Sequence, residues 1–180
     1  MPSTFARVTP VALPPHSSIT HVYKSTNLAD AFAIDLPVGA SGDPDLLARF
    51  IFAQQPGWIV NLTKVRDAIV VCFGLKTAKH LATLAGAGAD RVGIFKVYST
   101  SATEIILGED DKHLDFRLSV LCSAGPTPEA GRRLTVSTVV HCHNLLGRSY
   151  LFVIAPFHRL VVKASLRRAA DVGWPEALPR

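Results

Sequence analysis

The second half of the chain constrains the fold more than any other part. Thr103 to Leu107 and His113 to Cys122 alternate apolar and polar residues on either side of a charged turn, Gly108 to Lys112. In His113–Cys122, Leu114, Phe116, Leu118 and Val120 point one way, while His113, Asp115, Arg117 and Ser119 point the other. A loop rich in Gly and Pro, Ser123 to Arg132, leads to a third strand, Leu134 to His143. At Asn144, a residue that can cap a helix, the apolar period changes from two to about 3.6. The spacing predicts a helix over Leu145–Ala170, interrupted at its middle by Pro156. Strands first and one long helix last describe an α+β fold. The expected architecture is an antiparallel sheet of about five or six strands with a long C-terminal helix, helix-grip-like in outline.

The first half supplies the remaining elements. Residues 1–20 are rich in Pro, Ser and Thr and read as an irregular lead-in. His21 to Leu36 reads as extended. Asp43 then Pro44 then Asp45 is a helix start, with an N-cap, a proline at the first helical position and an acidic first turn. That helix is expected to reach about Gln54, burying Leu46, Leu47, Phe50 and Ile51. A second helix is expected from Trp58 to Phe73, where Trp58, Leu62, Val65, Ile69 and Phe73 form an apolar stripe. Lys76 to Asp90 is ambiguous, and strand character resumes at Val92–Ser99. With no repeat and no internal linker, the reading is one domain over 21–172, followed by a tail over 173–180.

Composition limits partners and compartment. The chain has 180 residues, long enough for one sizeable core. It is 48% hydrophobic, with a mean hydropathy of +0.27. Such apolar content needs a large core, a pocket or a second contact surface. The net charge of +5 is uneven: residues 1–147 hold 13 basic and 12 acidic side chains, residues 148–180 hold 6 and 2. Basic residues without interleaved aromatics do not suggest nucleic-acid binding, and a solvated helix face explains them most plainly. Cys72, Cys122 and Cys142 are far apart among apolar neighbours, as in reduced thiols. No signal-peptide pattern is present near Met1, and Pro156, His158 and Arg159 interrupt the best apolar run. A cytoplasmic protein without a membrane span is expected.

Two groups of residues are candidates for function. His113, Asp115, Arg117 and His141 would form neighbouring rows if their strands pair, and together suit proton transfer. Charged pairs decorating the wet face of a sheet explain them equally simply. His141 and His143 share a strand face, but no third ligand stands at a suitable spacing, so no metal is assigned. The second group lies on the terminal helix. Tyr150, Val153, Ile154, Phe157, Leu160, Val161 and Ala164 form the expected core stripe, facing Phe116 and Trp58, with His158 at its edge. A kink at Pro156 would open an apolar cavity lined by Tyr150, Ile154, Phe157, His158 and Val161. Leu151, Phe152, Val162 and Leu166 make the helix apolar nearly all round, which points to a second contact such as a homodimer partner. No phosphate-binding loop, dinucleotide fingerprint, nucleophile elbow or zinc-finger pattern occurs, and no cofactor is assigned.

Four segments carry a resemblance. They are Ala31–Pro37 (AFAIDLP), Val65–Asp67 with Phe73–Leu75, Leu107–Arg117 (LGEDDKHLDFR), and Asn144–Tyr150 (NLLGRSY) leading to Pro156–Arg159 (PFHR). Over about residues 20–170 the chain resembles an uncharacterised bacterial family known as domain of unknown function 2867. The resemblance implies no activity. By analogy alone, the order of elements also looks like the START and polyketide-cyclase group, whose members mostly hold apolar ligands between sheet and helix.

Three functional readings follow. The first is a domain that binds a small apolar ligand between sheet and helix. The second is an enzyme of cyclase, hydratase or isomerase type using His and Asp. The third is an accessory module that docks through its apolar helix. The sheet face on which Asp115, Arg117 and His141 lie discriminates the first two.

Overall fold

A computed structural model of the chain describes residues 7–59, 61, 90–125 and 131–177. Among the described residues it shows seven antiparallel strands and two helices described over their full length, besides a helical stretch at 57–59 and 61. In chain order these are β1 (Thr9–Val11), β2 (Leu28–Leu36), α1 (Pro44–Ala53), β3 (Arg91–Val92), β4 (Phe95–Thr100), β5 (Glu104–Asp110), β6 (Leu114–Ala124), β7 (Arg132–Cys142) and α2 (Leu145–Val172). The strand order across the sheet is β1-β2-β7-β6-β5-β4-β3. The chain therefore folds as an α+β domain, with a meander from β3 to β7 and β2 inserted against β7.

The strand count exceeds the expected five or six for two local reasons. The lead-in is not irregular throughout, because Thr9–Val11 pairs with Ala31–Ala33. The strand expected from Val92 is two strands, turned at Gly93, whose φ of 60° suits glycine. The helix expected from Trp58 to Phe73 and the ambiguous 76–90 stretch lie almost wholly outside the described residues.

Both helices cover one sheet face. Asp43 caps α1 by accepting from the Asp45 and Leu46 N–H groups, and Pro44 occupies the first turn, as the sequence predicts. Leu47, Ala48 and Ile51 are buried, whereas Leu46 turns outward and Phe50 is half-buried against Trp174. The Asn144 side chain caps α2 by accepting from Gly147 N–H at 2.9 Å. Gly147 is buried where α2 starts across β6. A Cβ there would strike the His113 carbonyl, so only glycine permits this approach.

The buried side of α2 differs from the expected stripe. Gly147, Tyr150, Leu151, Ser165, Leu166 and Ala169 face the sheet, with Ile154, Ala155 and Val162 packing beside them. Val153, Phe157 and Leu160 are exposed, as is Trp58. The helix is apolar nearly all round, so hydrophobicity alone does not choose its inner side. Small residues do: Gly147, Ala155, Ser165 and Ala169 let the backbone approach the sheet. The helix continues through Pro156, which lies on the outer side. A proline ring crowds the carbonyl four residues back and opens its own side of the helix. The tail also packs: Ser41 N–H donates to the Pro175 carbonyl, and Ala177 N–H to that of Gly39.

Candidate functional site

The helix-side face of the sheet carries two separate apolar clusters. The larger joins α1 and the C-terminal half of α2 to Phe32, Ile34, Leu107, Leu118, Val120, Leu134 and Val136. The smaller joins Tyr150 and Leu151 to Leu28, Leu114, Val140 and Cys142. Between them lies a strip of half-buried groups. Phe52, Phe95 and Phe116 form an edge-to-face row, with ring centroids 5.2 and 5.6 Å apart. Ile154 and Ala155 of α2 pack against the smaller cluster, as Phe116 does. Such aromatic pairs add about 0.5–1.5 kcal/mol beyond burial, yet these rings keep part of their surface open.

One polar pair stands at this strip. Asp30 is on the same sheet face, opposite Thr138. His158 Nε2 lies 3.3 Å from Asp30 Oδ1, and Arg159 Nε donates to Asp30 Oδ2 at 3.4 Å. Glu109 pairs with Arg91 at 3.2 Å at the other end of the row, with both side chains nearly enclosed. Of the residues predicted to line a pocket, Tyr150 is buried in the smaller cluster, Ile154, His158 and Val161 are half-buried, and Phe157 is 45% exposed on the outer side. Phe157 therefore leaves the candidate set. Phe52 and Phe95 enter it. The sequence reading missed both, because their alignment depends on the β3–β4 turn and on the packing of α1 over it.

The predicted acid–base group occupies the opposite sheet face. The register sets Asp115 opposite His141 and Arg117 opposite Val139, so the expected rows do lie side by side. All three point away from α2 and the aromatic strip. His113 is not among them, since its Nδ1 pairs with the Asn144 side chain at 2.9 Å. Arg117 crosses Gly108, where a Cβ would collide with the Phe116 carbonyl, and reaches Asp110 at 2.7 Å. Its guanidinium lies 3.7 Å from the centre of the Tyr98 ring, and Tyr98 Oη donates to the same Asp110 at 2.9 Å. Tyr23 stacks on His141 at 5.7 Å, and His143 pairs with Asp115 at 3.0 Å. Burial pushes the Tyr23 hydroxyl up to about 12, and burial together with the Asp110 bond raises that of Tyr98 as well.

Beside this cluster the lead-in is pinned by a buried carboxylate. Glu104 accepts from Ser17 Oγ at 2.5 Å, Ser119 Oγ at 2.6 Å and Ser18 N–H at 3.1 Å. Burial alone would raise its carboxyl, but these donors outweigh burial and hold it below the usual value. Ile19 is buried on Ile106 and Val139 nearby. The charged hairpin Leu107–Arg117 thus has structural partners. Glu109 holds Arg91, Asp110 holds Arg117 and Tyr98, and Asp115 holds His143. Among the described residues no group of three or more His, Cys, Asp or Glu side chains is placed to hold a metal.

The model of the family described as "Protein of unknown function (DUF2867)" matches residues 22–165, a span that runs from β2 into α2 and contains both the strip and the hairpin. The chain belongs to the DUF2867 family. No curated protein and no solved structure matches it. Within the matched span the hairpin residues have structural partners, and the Phe52–Phe95–Phe116 row is half-buried.

Proposed function

We propose that this DUF2867 domain binds a small apolar ligand on the helix side of its sheet, between the two core clusters. The carrying observation is the half-buried row Phe52–Phe95–Phe116, which meets the smaller cluster at Phe116, with the His158–Asp30 pair on the same sheet face as the polar group. Apolar surface with one or two placed polar groups is the usual make-up of a small-molecule site. The order of elements, with a long closing helix over an antiparallel sheet, is consistent with the helix-grip analogy and supports the same reading.

The test uses anilinonaphthalene sulfonate with the full chain. The folded protein should enhance its fluorescence saturably, and apolar compounds extracted from the purified protein should displace it. Ile154→Trp, which fills the strip, should weaken binding at least tenfold with little change in melting temperature. Absence of saturable binding, or equal binding by Ile154→Trp, rejects the reading.

A catalytic version of this site would use His158 and Asp30, not Asp115, Arg117 and His141, which sit across the sheet. A histidine held by a carboxylate is the arrangement of a general base. His158→Gln would then abolish turnover of a bound compound while leaving probe binding in place. A cyclase, hydratase or isomerase step that survives His158→Gln excludes this role.

A further inference from the structure

Among the described residues nothing covers the outer side of α2, an apolar ridge turned away from the sheet. Leu145 is 77% exposed, Phe152 84% and Leu160 53%, with Val153 and Phe157 between them. These positions follow the helical period and leave one continuous stripe about 24 Å long over sixteen residues. Arg148 borders one edge and Arg167 and Arg168 extend beyond its C-terminal end, while Arg159 pairs with Asp30 and Lys163 reaches over the Phe32 ring. No acidic side chain occurs from Leu145 to Ala170. The helix has a mean hydropathy of 1.3 over its most apolar stretch, of which only 11% is buried. Its length and composition would also suit a membrane span, but Tyr150, Leu151, Leu166 and Ala169 tie it lengthwise to the sheet.

From this placement we propose that the outer side of α2 is a peripheral docking surface for an anionic lipid membrane. An apolar stripe bordered by Lys and Arg is the pattern of a helix lying in the plane of a bilayer interface, where the ridge sinks among acyl chains and the basic groups meet lipid phosphates. The charges argue for this occupant over a second copy of the chain. Two ridges packed about a two-fold axis would bring basic borders together, with no carboxylate between Leu145 and Ala170 of either helix to offset them. A convex ridge also suits a deformable surface better than a rigid one. The surface lies on the opposite side of α2 from the proposed ligand strip, so either proposal can fail without the other.

Vesicle co-sedimentation tests this with the full chain, using phosphatidylcholine alone and phosphatidylcholine with 30 mol% phosphatidylglycerol, the fraction being of the order that makes a membrane surface strongly anionic. The chain should bind the phosphatidylglycerol vesicles at least tenfold better, and added salt should weaken that binding. Phe152→Glu with Leu160→Glu should reduce binding at least tenfold at unchanged melting temperature. If that pair fails to fold, Arg148→Glu with Arg168→Glu should remove the preference for anionic vesicles. Three outcomes overturn the proposal: no binding to the anionic vesicles, undiminished binding by the folded variants, or a stable wild-type dimer that Phe152→Glu splits.

Discussion

The two faces of the sheet are held by different physics. The helix side is held by apolar side chains: Leu107, Leu134 and Leu166 are fully enclosed, and even its polar pairs, Asp30–His158 and Arg91–Glu109, lie at the margins of the apolar clusters. The far side is held by named polar contacts. Glu104 gathers three donors from the lead-in and β6, and Arg117 binds Asp110 while covering Tyr98. Non-directional burial tolerates a partly covered strip, and that is where we place the proposed ligand site. A hydrogen-bonded network is less tolerant, because each unpaired buried group costs about 1–3 kcal/mol, and the far face already carries two among the described residues, Tyr23 Oη and Ser137 Oγ. The acid–base residues that look most functional in the sequence lie on the face with least freedom to bind anything.

The largest effect should come from the apolar face. Leu166 is fully buried between α2 and the sheet, so Leu166→Ala should cost about 2–5 kcal/mol by chemical denaturation. A loss below about 1 kcal/mol would mean that α2 is not anchored through this side, and the comparison of faces would collapse.

A smaller, pH-dependent effect should come from the far face. Glu104→Gln should cost about 1–3 kcal/mol at neutral pH, since an amide cannot accept from all three donors. Glu104 is held below the usual carboxylate value, so on acidification the unfolded chain takes up the proton first. Its contribution is complete above the unfolded value of about 4.3 and is lost as pH falls through the lower folded value. The gap between wild type and Glu104→Gln should therefore narrow below about pH 4. Asp110 also sits below its usual value; burial alone would raise it, and the bonds from Arg117 and Tyr98 reverse that. It shifts in the same direction, so only the difference between the two proteins isolates Glu104. A pH-independent gap would show that the Glu104 charge is not what the serines hold.

Much of this was legible in sequence wherever a period or a cap fixes geometry. Alternation in β6 separates Leu114, Phe116 and Leu118 from Asp115 and Arg117, and the structure keeps that separation. The Asp43 and Asn144 caps set the starts of both helices. Legibility failed where several answers satisfy the same pattern. An all-round apolar α2 leaves its inner side undetermined by hydropathy, and the small residues Gly147, Ala155, Ser165 and Ala169 were the signal that resolves it. The lead-in carried no alternation to announce β1, because its order comes from distant partners such as Glu104, 87 positions from Ser17. The aromatic strip was invisible because Phe52, Phe95 and Phe116 meet only after three elements pack.

The smallest expected effect bears on the two sides of α2 itself. The sequence stripe places Phe157 in the core, where Phe157→Ala would cost about 3–5 kcal/mol. The structure turns it outward, 45% exposed, with no role in either apolar cluster. Alanine is also the better helix former. Phe157→Ala should therefore change stability by no more than about 0.5–1 kcal/mol. Leu151→Ala, six positions earlier on the buried side, should cost at least about 2 kcal/mol. Measuring both by urea denaturation fixes the rotation of the helix independently of any ligand or membrane. If Phe157→Ala proves the costlier, α2 is turned by roughly a third of a revolution, about 120°, and part of the exposed ridge faces the sheet.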